Sequence, residues 1–418
     1  MNGNQRYNKI AGTDNIGGDS LKNLPFSLIV WYYSEKSLRA AFLPTIGVSE
    51  RNIAYLCNAA NQFRYYTKED TVMAHLTPKQ NLLRLFSGEI PEWVPSYSYY
   101  GRLPGVDEDP ANMSVGNPAL PFRMESDEPG VFKNMWGVPY KAVEEVGGFM
   151  LPEPNAFIIK DINDWPDIIK APDLSHVNWE ETAKQALEAL PYSRETSAMY
   201  YGPGGGYFQM LMGFMGFNEG LMAMYSEPEA VLELFNYLHE FYLPIAQKYI
   251  DYVNPDVLSL GDDTASEYAP FISPELFRKL LLPFYDDFAR LGRNRGIPIN
   301  FHNCGKSQVL FNDLVRIGVT SWEPVQLQND ILEVQKKFGR QLVIGGGWEG
   351  RGRLTEPDVT DEEIRQSVRD AMDKYAPNGG FMFAAAYTPG STTDERTAHW
   401  NEVLQKEAYD YGRAFYNK

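Results

Sequence analysis

From Ser197 to the C-terminus, short apolar runs alternate with longer stretches whose apolar residues recur every three or four positions. The runs predict strands at 198–201, 257–260, 297–301, 319–322, 342–344 and 381–385, and the longer stretches predict helices between them. One long helix runs through Leu232, Phe235, Leu238, Tyr242 and Ile245, with Ser226-Glu227-Pro228-Glu229 reading as a capping box at its start. Ser273-Pro274 opens another, with Leu276, Leu280, Phe284 and Phe288 on its core face. Shorter helices are expected over 309–317 and 331–338. Thr360-Asp361-Glu362-Glu363 caps a helix through Ile364, Val368 and Met372, and a last helix starts near Asp394.

Upstream the pattern is sparser. Residues 53–64 predict a helix. Thr77-Pro78-Lys79-Gln80 is a capping box with proline at the first helical position. The helix it opens buries Leu82, Leu83, Leu85 and Phe86 and stops at Gly88. Residues 93–97 then read as entry into a first strand. The stretch 101–155 is rich in proline, glycine and aromatics, and reads as a long excursion over one end of the fold.

Strands alternating with helices at this spacing imply parallel βα units, and their short apolar runs suit a sheet buried on both faces. The number of units favours a closed (β/α)₈ TIM barrel over an open doubly wound sheet. The expected organisation is an N-terminal extension over residues 1–75 and a barrel over 76–418, with a long early insertion.

Composition narrows the function. With 44% hydrophobic, 14% aromatic and 22% charged residues, the chain reads as ordered and globular. A net charge of -17 repels phosphate backbones and anionic bilayers, which argues against nucleic-acid and membrane partners. Two cysteines, Cys57 and Cys304, are too few for a disulfide scaffold. The polar N-terminus does not read as a signal peptide, and no apolar stretch approaches the length of a membrane span. The expected setting is cytoplasmic.

In a (β/α)₈ barrel the reacting groups lie where strands end. Those positions hold Asp262 and Asp263, then His302 and Cys304, then Glu323, then Trp348 and Glu349, then Tyr387. Tyr201 ends an earlier strand. His302 and Cys304 are two apart in an extended segment, so their side chains share one side and can share a zinc ion. The plainer alternative is a buried thiol beside a hydrogen-bonded histidine. Glu323 ends the next strand and is expected to face the same cavity as a third ligand. Of the adjacent carboxylates Asp262 and Asp263, one points inward, as general acid/base, substrate anchor or further ligand. The alternative is that they accept backbone hydrogen bonds in the following loop. Residues 202–206, GPGGG, read as an anion cradle or a tight loop. The methionines at 210, 212, 215, 222 and 224 read as core filler.

The stretches TPKQNLLRLFSGEIPEWVP, FISPELFRKLLLPFYDDFARLGRNRGIPINFHNCGKS and GGFMFAAAYTPGSTTDERTAHWNEV resemble signatures of the uroporphyrinogen decarboxylase superfamily. The resemblance runs from Thr77 to the C-terminus. It implies a (β/α)₈ barrel with one of two chemistries: metal-free decarboxylation, or zinc-dependent methyl transfer with corrinoid proteins. Decarboxylases carry an arginine-rich R-x-x-G-R type segment near their start, where this chain reads SYSYYGRLPG. His302-Asn303-Cys304-Gly305 is similar to the H-x-C of the zinc methyltransferases, and Glu323 falls where related methionine synthases place a zinc glutamate. The chain departs at Tyr387, where methyltransferases carry a further cysteine and decarboxylases a histidine.

The resemblance therefore implies a methyltransferase moving a methyl group between a small methylated or methoxylated compound and a corrinoid protein. His302, Cys304 and Glu323 are the zinc ligands on this expectation. Asp262, Asp263 and Tyr387 are the catalytic candidates, and Trp348, Glu349 and Tyr201 line the substrate pocket. The corrinoid belongs to a partner protein, since no D-x-H-x-x-G type motif is present. The resemblance also implies a homodimer. The alternatives are a metal-free decarboxylase acting on a carboxylated substrate, and a non-catalytic barrel that binds a small ligand.

Overall fold

The computed structural model describes residues 28–34, 37–43, 76–97, 111–115, 125–128, 131–143, 149–190, 192–387 and 395–417. The chain divides into two compact units, Met1–His75 and Leu76–Lys418. In the first, β1 (Leu28–Ser34) pairs antiparallel with β2 (Ser37–Leu43). Cys57 and the helix expected over 53–64 lie outside the described residues.

The second unit opens with the helix Pro78–Phe86. Its capping box forms as expected: Gln80 N donates to Thr77 Oγ1 at 3.2 Å, and Thr77 N donates to Gln80 Oε1 at 2.9 Å. Leu82, Leu85 and Phe86 are buried, while Leu83 is half-buried.

Eight parallel strands form the main sheet: β3 (Ser96–Tyr97), β4 (Ala111–Val115), β9 (Ala198–Tyr201), β10 (Val257–Gly261), β11 (Ile299–His302), β12 (Ser321–Val325), β13 (Val343–Gly346) and β14 (Phe381–Ala384). Their order is β3-β14-β13-β12-β11-β10-β9-β4. β9 to β14 thus neighbour one another in chain order, with β4 and β3 at the two edges. This is a mixed α/β architecture built on a parallel sheet, consistent with a TIM-like fold. No pairing between β3 and β4 appears among the described residues.

The stretch 101–155 departs from expectation. It contributes β4 to the main sheet, and a separate antiparallel sheet of β5 (Glu125–Glu128), β6 (Val131–Lys133), β7 (Pro139–Val143) and β8 (Phe149–Pro152). The sequence of β4, ANMSV, has no apolar run to betray it.

Two helix starts also differ. Ser226 closes the helix Phe217–Ser226 and bonds its own Met222 carbonyl, so the long helix Pro228–Val253 starts at Glu227 without a side-chain cap. The helix after Ser273 is two helices, Pro274–Leu280 and Leu282–Arg293. The break falls where Pro283 has no N–H to continue the ladder. The methionine run forms parts of Tyr207–Met215 and Phe217–Ser226; Met215 and Met224 are buried, but Met222 is exposed.

Alternation along the strands sorts their side chains into two faces. Met199, Tyr201, Leu258, Leu260, Ile299, Phe301, Trp322, Ile344, Phe381 and Phe383 pack into one core with the helices. On the other face, Ala198, Tyr200, Val257, Val343, Met382 and Ala384 pack with Leu82, Leu85 and Phe86 of the first helix. Further along that second face the side chains become polar. Ser259, Asn300 and Ser321 stand level by register, and Gly261, His302 and Glu323 form the next row.

Candidate metal centre

The register Gly261↔His302↔Glu323 sets the first contacts. A Cβ at Gly261 would lie 2.9 Å from His302 Cβ, so glycine there leaves room for the imidazole. His302 Nδ1 lies 3.2 and 3.1 Å from the two carboxylate oxygens of Glu323. Glu323 is almost fully buried. A carboxylate only accepts, so Nδ1 carries the proton and Nε2 is the nitrogen available to a ligand.

Nε2 looks toward two groups on the loops that follow β10 and β11. Cys304 Sγ is 3.6 Å away, and Asp263 Oδ1 is 3.6 Å away. The backbone N–H of Cys304 donates to Asp263 Oδ1 at 2.9 Å, and Gln209 Nε2 donates to Asp263 Oδ2 at 3.1 Å. One ligating atom each from Asp263, His302 and Cys304 lies within 4.8 Å of the others. Nitrogen and sulfur ligands on a tetrahedral zinc stand about 3.5 Å apart, as bond lengths near 2.1 and 2.3 Å dictate. The spacing and the mixed O, N, S donor set therefore fit a divalent metal with one position left open.

The three-residue set thus differs from the expected one. Asp263 stands with His302 and Cys304, and Glu323 sits behind the imidazole, in the place that orients metal-bound histidines. Burial lowers the His302 pKa, but the Glu323 charge and the Cys304 and Glu323 hydrogen bonds outweigh it and hold the group well above its ordinary value. Burial pushes the Cys304 thiol up, against the lowering effect of its hydrogen bond to His302.

Asp262 faces the other way. It is fully buried and accepts from Phe208 N at 2.7 Å, Gln209 N at 2.9 Å and Tyr285 OH at 2.6 Å. Burial raises its carboxyl to about 7, opposed by those three donors. It closes the N-terminus of the helix Tyr207–Met215, the backbone-accepting arrangement that stood as the alternative to a catalytic role. The same contacts answer the question of the 202–206 loop. The N–H groups of Phe208 and Gln209 beyond it are taken by Asp262, and Gly204 and Gly205, at φ +82° and +86°, pack against Tyr242 and Phe288. It is a tight loop.

The expected pocket residues are dispersed. Tyr201 lies on the face of β9 opposite to the His302 side and stacks on Tyr249 with ring centroids 5.2 Å apart. Trp348 is buried and donates from Nε1 to Ser367 Oγ at 2.8 Å, on the helix Asp361–Tyr375. Tyr387 packs between Trp348 and Trp400, and burial raises its phenol to about 12. Its hydroxyl has no hydrogen-bond partner among the described residues. Glu349 accepts from Leu327 N at 3.1 Å, Gln326 Nε2 at 3.3 Å and Arg351 at 3.1 Å. It ties strand-end loops together.

Sequence reasoning passed over several residues that build this region. Gln326 accepts from Gly305 N at 2.6 Å, and Arg351 reaches Glu267 at 3.2 Å. Asn300 bonds Glu323 at 3.0 Å. Asn300 alone carried a signal: it stands two positions before His302 on a strand, hence on the same face.

A family model described as uroporphyrinogen decarboxylase (URO-D) matches residues 151–400, more than half of the chain. No curated protein matches the sequence. Among solved structures, the chain is similar to one titled methyltransferase from Methanosarcina mazei, with a TM-score of 0.52 and 15% identity over 81% of this chain and 99% of that one. At that identity the likeness speaks to the fold. By the family match, and in keeping with the parallel βα architecture, this chain belongs to the uroporphyrinogen decarboxylase (URO-D) family.

Proposed function

We propose that this chain is a zinc-dependent methyltransferase. It moves a methyl group between a small methylated or methoxylated substrate and a corrinoid carried by a partner protein. The observation that carries the reading is the approach of Asp263, His302 and Cys304 to within 4.8 Å of one another. The family match supports it at the level of the superfamily, and the methyltransferase of similar fold lends the reaction class. The proposal takes the eight parallel strands as a closed (β/α)₈ barrel, with β3 and β4 meeting at the seam.

In this reading Asp263 Oδ1, His302 Nε2 and Cys304 Sγ hold the metal, and Glu323 keeps the imidazole turned toward it. Gln209 steadies the second oxygen of Asp263. When bound, zinc supplies Lewis acidity to a substrate heteroatom, without which an ether oxygen is a poor leaving group. A single thiolate leaves the metal more electrophilic than two would, which suits ethers and alcohols better than thiols.

The decarboxylase alternative draws on the family's description. Against it stand the carboxylates Asp263, Glu267, Glu323 and Glu349 on this part of the fold. Arg351 beside them is already engaged by Glu267 and Glu349, and His302 by Asp263 and Glu323. Such an array repels a polycarboxylate.

The test is metal content. Protein purified without chelator is expected to carry stoichiometric zinc, or to take it up, and Cys304→Ser to lose it. Wild-type protein that neither holds nor binds a divalent metal overturns the reading.

A further inference from the structure

Behind His302 and Glu323 lies a fully buried amide whose three hydrogen bonds all point to one purpose. Asn300 Nδ2 donates to Glu323 Oε1 at 3.0 Å and to Ser259 Oγ at 3.0 Å, and Asn300 Oδ1 accepts from Ser321 Oγ at 2.8 Å. The amide has only one sensible orientation. Flipped, its oxygen would face a carboxylate that can only accept. Ser321 and Ser259 therefore hold Asn300, Asn300 holds Glu323, and Glu323 holds the imidazole. All of this sits on the inner face, one row below the metal centre.

We propose that Asn300 is a positioning residue for the metal centre: it anchors the Glu323 carboxylate, and so fixes His302 with Nε2 turned to Asp263 and Cys304. The proposal rests on the metal-centre reading above. Without the Asn300 donor, the Glu323 carboxylate loses one of its buried hydrogen bonds and is held less tightly. His302 then loses the fixed acceptor for Nδ1–H, and its ring rotates about the Cβ–Cγ bond. Loss of such an outer partner typically weakens metal binding about 10- to 100-fold.

Two substitutions test this. Asn300→Asp keeps the volume but turns the donor into an acceptor against Glu323. Asn300→Ser is milder and leaves a side chain too short to reach the carboxylate. Cobalt(II) is titrated into the full-length metal-free proteins, followed by the thiolate-to-cobalt absorption band and by competition with a chelator. In parallel, ¹⁵N-histidine-labelled protein is examined without metal for the downfield Nδ1–H proton of His302, assigned by its loss in His302→Gln. Circular dichroism shows which variants are folded.

Folded variants are expected to bind cobalt about 10- to 100-fold more weakly, with a shifted band, and to lose or move the Nδ1–H signal. A folded variant with wild-type affinity, band and Nδ1–H signal overturns the proposal. If both variants fail to fold, the wild-type spectrum decides: no hydrogen-bonded Nδ1–H at His302 overturns it. If wild-type protein binds no cobalt yet the Nδ1–H signal responds to the substitutions, the metal reading fails while the Asn300–Glu323–His302 linkage stands.

Discussion

On the proposed reading, metal uptake at Asp263, His302 and Cys304 competes with protons at two of the three groups. Free of metal, His302 stands well above its ordinary pKa, and the Cys304 thiol is raised by burial. A metal must displace the proton from Nε2 and the proton from Sγ before it can bind both. Affinity therefore rises with pH across the neutral and mildly alkaline range, and falls in acid as both groups hold their protons. Zinc or cobalt titrations at a series of pH values are expected to show proton release on binding, with the slope of log affinity against pH approaching two protons on the acid side. A pH-independent affinity would place the metal elsewhere. Asp263→Asn keeps the shape of the third ligand but removes its charge. It is expected to weaken binding while leaving the thiolate–cobalt band present, whereas Cys304→Ser removes the band altogether. At this scale the sequence was a partial guide. A histidine and a cysteine two apart at a strand end were legible as a pair, although β11 stops at His302 and it is the loop after it that brings Cys304 Sγ to 3.6 Å from Nε2. The choice between Asp262 and Asp263 turns on where the N–H groups of the helix Tyr207–Met215 point, and that is settled only by packing. The position of Glu323 behind Nδ1 depends on the ring angle of His302, which residue spacing does not encode.

Helices and strands were most legible where the end signals were chemical. Thr77 and Thr360 each have a glutamine or glutamate three residues on, and both capping boxes form. The Ser226 box failed because that serine was already the last residue of another helix, bonded to its own Met222 carbonyl. β4 escaped notice because a short strand at the sheet edge needs no apolar run. The helix Pro78–Phe86 invites a stability test, since its buried residues form part of the second apolar cluster. Leu85 is fully buried in the cluster that also holds Val257, Val343 and Met382. Leu85→Ala removes its contacts and leaves a cavity, so it is expected to cost about 2–5 kcal/mol. Chemical denaturation of the metal-free protein measures this, with a lower midpoint and little change in slope. The site lies further along the same face, so zinc binding by the folded fraction is expected to persist.

Over the whole molecule, apolar and polar character is graded along one face of the parallel sheet. The apolar cluster with the first helix comes first, then Ser259, Asn300 and Ser321, then His302 and Glu323, then the loop residues Asp263 and Cys304. Each polar row is held by side-chain hydrogen bonds to the next, so desolvated groups stay satisfied as burial deepens. The alternation of strands and helices made the βα class readable from sequence, because two periods of hydrophobicity repeat in turn. The layering was not, because it depends on register between strands far apart in the chain. Every residue of this gradient belongs to the compact unit Leu76–Lys418, and none to Met1–His75. The centre is thus predicted to be self-sufficient within the second unit. Protein beginning at Leu76 is expected to fold, to bind stoichiometric zinc, and to show the full-length affinity, since all the residues of the centre lie within this unit. Isothermal titration of both chains with zinc reads the comparison directly. A folded shorter chain with no zinc site would mean that residues 1–75 contribute to the centre, and the account of Asp263, His302 and Cys304 as sufficient would have to be abandoned.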